Sequence, residues 1–255
     1  MLPVSGTVLA VREPTGVDEL YVLETTLAPA PTLVGLATRV ATTSVGGAID
    51  WASMPATDLA AAALLIRRAW MGDAIRTDTR CPDSGCRERI DVSFGIADYV
   101  SHYRPRHPRG VSAAPDPGWF TLAGSAVRFR IPTVEDLLTT QPDGQVADTL
   151  AGRCIDTEQI SRTLARRLDR ALSALAPSLS DLVGGICPVC GREVAMRFDP
   201  IAYTLADLRN AFAGIHLETH ALASAYGWPE DAILALPRGR RQHYASIIAD
   251  ERSVG

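Results

Sequence analysis

Cys81-Pro-Asp-Ser-Gly-Cys86-Arg-Glu-Arg-Ile-Asp-Val-Ser-Phe94 has a distant counterpart in Cys187-Pro-Val-Cys190-Gly-Arg-Glu-Val-Ala-Met-Arg-Phe198. Each stretch is a cysteine pair around a short turn, followed by apolar alternation: Ile90, Val92 and Phe94 in the first, Val194, Met196 and Phe198 in the second. Period-two alternation predicts a half-buried strand after each knuckle. Two close pairs of thiolates form the ligand set of a closed structural zinc site. Cys81, Cys86, Cys187 and Cys190 are therefore candidate ligands for one structural Zn2+ per chain, an ion that would tie the two halves of the protein together. Pro82 and Pro188 stiffen the two loops, and Gly85 and Gly191 offer the loose backbone that such turns need.

Working outward, the strand that opens the chain repeats as well. Gly6-Thr-Val-Leu-Ala-Val-Arg-Glu-Pro-Thr-Gly-Val-Asp-Glu-Leu20 aligns without gaps to Gly124-Ser-Ala-Val-Arg-Phe-Arg-Ile-Pro-Thr-Val-Glu-Asp-Leu-Leu138. In both, apolar alternation predicts a short strand, and Pro14 or Pro132 ends it because proline cannot donate to a ladder. Thr15 and Thr133 then stand at a helix N-cap, with Asp18 and Asp136 three residues on in a carboxylate version of the capping box. Each copy later carries a long helix. The first runs over 56–71, with Thr57 as cap and Leu59, Ala63, Ile66 and Trp70 as buried stripe. The second runs over 157–176, with Leu164, Leu168, Leu172 and Leu175 as its apolar face.

The expected fold is therefore α+β: two duplicated strand–helix–knuckle–strand units joined by a split four-cysteine zinc ribbon, with a C-terminal helical tail. The first unit covers 2–104 and the second 119–203. Between them, 105–118 is rich in proline and glycine and reads as a linker or surface loop. Arg104, Arg106 and Arg109 make it a candidate docking element for an acidic partner. The tail, 204–255, reads as one helix from Leu205 to Tyr226, a short helix between Pro229 and Pro237, and a final helix; it has no copy in the first half. Trp228, Arg240, Arg241 and Tyr244 are its candidate partner contacts, being of types favoured at interfaces.

Composition narrows the function. The formal net charge is −4, which argues against general nucleic-acid binding. All 25 basic side chains are arginine. No uninterrupted apolar run is long enough to span a membrane, and Met1-Leu-Pro-Val-Ser-Gly-Thr7 lacks the regions of a signal peptide, so a cytoplasmic protein is expected. In that reducing compartment paired cysteines favour metal over disulfide. Cys154, left over, reads as a small buried hydrophobe.

Two other chemistries have a foothold. Cys187-Pro-Val-Cys190 has the form of a dithiol oxidoreductase motif, but that chemistry wants its first cysteine at a helix N-terminus, and here Gly191 and a strand follow. A zinc ribbon can also serve a nucleic-acid-binding adaptor or regulator, for which the 104–109 arginines are the available basic element. His216-Leu-Glu-Thr-His220 lacks the glutamate placement of a metalloprotease helix and reads as a polar face. No nucleophile elbow, phosphate loop or dinucleotide fingerprint is present, so neither an enzyme nor a small-molecule substrate is expected.

Leu2-Pro-Val-Ser-Gly6, the run Arg12-Glu-Pro-Thr-Gly-Val-Asp-Glu19 and the knuckle leading into Arg89-Ile-Asp-Val-Ser-Phe94 resemble the baseplate hub assembly chaperone family of contractile phage tails and phage-like contractile injection systems. Tyr226-Gly-Trp-Pro-Glu-Asp-Ala-Ile-Leu-Ala-Leu-Pro-Arg-Gly-Arg-Arg-Gln-His-Tyr244 is similar to segments of phage tail and baseplate assembly proteins. The resemblance implies a non-enzymatic role: binding baseplate or hub proteins during assembly, in the cytoplasm or within the assembled particle. The duplication and the long linker depart from the simplest pattern of that family.

Overall fold

The computed structural model describes residues 1–116, 118–139, 153–156 and 160–254. The first half runs β1 (Leu9–Val11), α1 (Gly16–Glu24), α2 (Pro29–Val40), β2 (Ala41–Thr43), α3 (Ala56–Met71), β3 (Ala74–Arg80), β4 (Arg89–Gly95) and α4 (Ile96–His102). The second continues with β5 (Val111–Ala113), β6 (Trp119–Leu122), β7 (Arg128–Arg130), α5 (Val134–Thr139), β8 (Ile155–Asp156), α6 (Arg162–Leu175), β9 (Asp181–Ile186), β10 (Glu193–Phe198) and α7 (Pro200–Phe212). The tail is α8 (Ile215–Tyr226), α9 (Glu230–Leu234) and α10 (Arg238–Val254). The architecture is mixed α+β with small antiparallel sheets: β1–β2, β3–β4, β9–β10 and the four-stranded β5-β6-β7-β8.

The two halves place like residues alike. Arg12 forks onto Asp18 (2.7 and 2.9 Å), and Arg130 forks onto Asp136 (2.5 and 2.8 Å). Each aspartate also accepts the amide of its capping threonine, Thr15 or Thr133, at 2.9 Å. One carboxylate thus closes the helix start and holds the preceding strand, and both carboxylates are buried. At Asp18 burial works against ionisation, but Arg12 and Thr15 outweigh it and hold the carboxyl below its ordinary value. Asp136 is held well below by Arg130 first, then by Thr133 and Arg153 against the cost of burial.

The main core gathers around α3. Its run Leu59 to Leu64 and Ile66 are buried, and alanine at four positions lets neighbouring helices approach closely. α7 enters this core from the other half of the sequence with Leu205, Leu208 and Phe212. Arg67 on α3 pairs with Asp207 on α7 (2.9 Å). A second, smaller cluster joins Val111, Leu122 and Phe129 of the four-stranded sheet to Leu168, Ala171 and Leu175 of α6.

Several expectations are corrected. The 105–118 segment is not a plain linker: Val111–Ala113 forms β5 and pairs with β6, because Val111 is drawn into the second core between the prolines. The stretch Leu205 to Tyr226 is two helices, broken at Ala213-Gly214; the first is the continuation of the helix expected from Pro200, where the Asp199 carboxylate accepts the Ile201 and Ala202 amides (2.9 and 3.1 Å). Thr57 does not cap α3; Pro55 stands at the cap, and the Thr57 hydroxyl donates to the Pro177 carbonyl (3.2 Å). The expected helix over 157–176 is α6, capped by Ser161, which accepts the Leu164 amide; positions 157–159 lie outside the described residues.

The tail is tied to the first unit at the same kind of corner that ties the second unit to α3. Thr133 bridges Pro55, and the Ala56 amide donates to the Pro132 carbonyl (2.9 Å). Thr15 bridges Pro237, and the Arg238 amide donates to the Pro14 carbonyl (3.0 Å). Each Pro-Thr corner therefore seats the proline-led start of a helix supplied by a remote part of the chain.

Candidate metal centre

The β3–β4 and β9–β10 ladders end in turns that carry the cysteines. Arg80 pairs with Arg89 and Ile186 with Glu193 as the last rungs. Cys81 and Cys187 follow at once, and their amides donate to the Glu88 and Arg192 carbonyls (2.9 and 2.8 Å). The longer first knuckle takes up its two extra residues in a turn around Asp83, whose carboxylate accepts the Gly85 amide (2.7 Å) and whose carbonyl accepts the Cys86 and Arg87 amides (3.0 Å each). In the second knuckle the Gly191 amide returns to the Cys187 carbonyl (2.9 Å).

The residue after the second cysteine takes the left-handed conformation in both: Gly191 at φ +73° and Arg87 at φ +49°. Gly191 does what the sequence reading asked of it. Gly85 does not have a positive φ; Arg87 carries the turn instead and, among the described residues, no other non-glycine does so. Asp83 also forms an ion pair with Arg192, which links one knuckle to the other.

All four sulfurs lie within 4.8 Å of one another. Two contacts cross between the knuckles, Cys81 to Cys190 at 3.5 Å and Cys86 to Cys187 at 3.8 Å. A disulfide would need about 2.05 Å. A tetrahedron with metal–sulfur bonds of about 2.3 Å has edges of about 3.8 Å, close to these two contacts. The donor set is compatible with a metal ion held by two ligands from each hairpin. Cys81, Cys187 and Val194 form a small buried cluster with Cys86 and Ile90 packed on it, while Cys190 faces solvent.

The thiols are not equivalent. The Cys190 amide, then the Val189 amide and the neighbouring sulfurs, outweigh burial and bring Cys187 down to about 7. The Asp83 amide draws Cys81 down, but burial and the other three sulfurs prevail and push it up to about 12. Cys86 is raised too, the Glu88 amide and the Cys81 sulfur pulling it down less than burial and the Cys190 and Cys187 sulfurs push it up. A divalent cation replaces these protons when it binds, so affinity for metal falls as pH drops. Cys187 sits in a turn between two strands and not at a helix N-terminus, the placement a dithiol oxidoreductase uses.

The other sequence candidates are dispersed. Arg104, Arg106 and Arg109 are exposed, and the backbone at Arg106 is fixed by its amide donating to the Ala174 carbonyl (2.7 Å). Trp228, Tyr244 and Tyr226 pack in one aromatic group, ring centroids 5.1 to 6.4 Å apart, with Tyr244 edge-on to the other two. Arg240 is exposed. Arg241 is not a surface contact: it is fully buried, donating to Glu19 (2.6 Å) and Glu218 (2.8 Å), because it locks α10 onto α1 and α8. Burial pushes the Glu19 carboxyl up despite Arg241 and Arg238 beside it. Cys154 is buried away from the cluster, 3.8 Å from Asp136, and burial raises it to about 11. His216 and His220 are exposed on α8. Among the described residues no helix is long and apolar enough to cross a membrane.

Two features escaped the sequence reading. The arginine fork onto each capping aspartate was signalled by arginine six residues before aspartate in both copies. The arginine row of α6, Arg162, Arg166 and Arg170, was signalled by its four-residue spacing. Comparison of this chain with protein-family models, curated proteins and solved structures gives no match.

Proposed function

We propose that this chain is a non-catalytic docking scaffold, stapled by one structural Zn2+, that binds a baseplate or hub protein while a phage-like contractile injection particle is assembled in the cytoplasm. The observation that carries the reading is the four-sulfur cluster, in which two hairpins from remote parts of the chain each contribute one cysteine pair. Four thiolates fill a tetrahedral shell and leave no position for substrate, so the ion's role is to hold the hairpins in a fixed relation. Zinc suits four soft sulfur donors in that geometry. The repeated corner and knuckle support descent of the halves from one duplicated unit. The particle-assembly part rests on the resemblance of the chain's opening, first knuckle and tail to baseplate assembly proteins.

Native mass spectrometry of the purified chain is expected to show one zinc per molecule, lost in Cys81→Ser and in Cys190→Ser. In a host that makes such a particle, deleting the gene is expected to leave particles without a completed baseplate, restored by the wild-type chain and not by Cys187→Ser. Complete, active particles formed in the deletion strain would overturn the assembly role, and a metal-free native chain would overturn the staple.

A further inference from the structure

The second half presents a basic surface whose arginines make no ion pair among the described residues. α6 carries Arg162, Arg166 and Arg170 at four-residue spacing, all exposed. Four residues advance a helix by about 6 Å and slightly more than one turn, so the three guanidinium groups share a face about 12 Å long. At its C-terminal end the segment after α4 is anchored on the helix through the Arg106 amide and the Ala174 carbonyl. There a cleft of about 360 Å³ is lined by His102, Arg104, Arg106, Arg170 and Ser173, with Asp169 as the one carboxylate in its wall.

Several arginines elsewhere are matched, among them Arg12 with Asp18, Arg67 with Asp207, Arg128 with Asp116 and Asp156, and Arg241 with Glu19 and Glu218; others, such as Arg76, Arg80 and Arg197, make no ion pair among the described residues but lie outside this cluster. Arg104, Arg106, Arg162, Arg166 and Arg170 make no ion pair among the described residues. On a molecule of net charge −4 they form a local field of opposite sign to the whole, which steers an acidic partner to this face and away from the rest.

The geometry points to this surface as the docking face for an acidic helix of a partner protein, whose carboxylates at four-residue spacing lie along the arginine row while a further carboxylate enters the cleft between Arg104 and Arg106. The row has the pitch of a second helix, and the planar fork of arginine matches a carboxylate in two parallel hydrogen bonds. Asp169 in the cleft wall opposes a continuous run of phosphates. The inference deepens the docking role proposed above and rests on it, but it is tested on the purified chain alone, so the two can fail separately.

The experiment is fluorescence anisotropy with the full zinc-loaded chain. Its probes are a synthetic alanine-rich helical peptide bearing three glutamates at four-residue spacing, a peptide of the same composition with the glutamates spread around the helix, and a short DNA duplex. The patterned peptide is expected to bind about tenfold more tightly than the scrambled one and to weaken with added salt. Arg166→Glu with Arg170→Glu is expected to reduce its affinity by about tenfold or more, and Arg104→Glu, on a separate element, to reduce it independently. Circular dichroism identical to wild type confirms that these surface changes leave the fold intact. Equal affinity for the two peptides, indifference to both variants, or displacement of the peptide by the duplex at equal charge would overturn the assignment.

Discussion

Arg87 occupies the position where the other knuckle has Gly191, and it holds a left-handed backbone at φ +49° that glycine adopts without a Cβ clash. Arg87→Gly is therefore expected to stabilise the protein by up to about 1 kcal/mol, read as a rise of about 2–4 °C in a thermal melt. A fall in melting temperature would show that the arginine side chain contributes something its backbone does not reveal. Arg241 is the opposite case, a residue whose side chain decides everything. Arg241→Met leaves Glu19 buried beside a weaker partner, Arg238, at 3.5 Å, and is expected to cost about 3–5 kcal/mol in urea unfolding. Glu19 aligns with Leu137 of the second copy, so Glu19→Leu with Arg241→Met is expected to recover most of that loss. Neither role was legible in the sequence. Gly85 looked like the turn residue because it lies inside the cysteine pair, and Arg241 looked like a surface arginine because its partners, Glu19 and Glu218, are brought to it only by tertiary packing.

Among the elements, the Pro-Thr corners were the most legible, since threonine followed three residues later by aspartate encodes a helix start through local hydrogen bonds alone. The arginine fork beneath them adds a pH dependence. The Asp136 carboxyl is held below its ordinary value of 3.8, so its stabilisation is complete above that value and is lost as pH falls through its folded value. Asp136→Asn is expected to cost about 1.5–3 kcal/mol near neutrality, and its difference from wild type should shrink as urea titrations are taken below about pH 4. A difference that stays constant to pH 2 would assign the effect to shape and not to charge. β5 was illegible because three residues between prolines carry almost no local strand signal; Val111 is a strand through its partner and its core. The break between α7 and α8 was hidden because the apolar spacing of Leu205, Leu208, Phe212, Ile215 and Leu222 runs through it, and Gly214 was the lone hint. Leu208, fully buried on α7, is expected to cost about 2–5 kcal/mol as alanine, since its cavity would open in the core of the first half.

At the scale of the whole molecule, the spacing of the cysteines identified two knuckles, but only the fold shows that their sulfurs meet within 4.8 Å. Chelation of metal, or Cys187→Ser, is expected to lower the melting temperature and to expose the β3–β4 and β9–β10 hairpins to protease before the helical core. Simultaneous loss of all elements would instead mark the ion as the keystone of the entire fold. α7 has a further consequence for how the protein comes into being. A nascent chain leaving the ribosome has made α1, α2 and α3 long before it has made Leu205, Leu208 and Phe212, which complete their packing. The first half must therefore wait, partly collapsed and with apolar surface open, until most of the polypeptide has emerged. Ribosome-arrested chains ending before residue 200 are expected to remain protease-sensitive throughout, whereas those with 212 clear of the exit tunnel should acquire protection in one step.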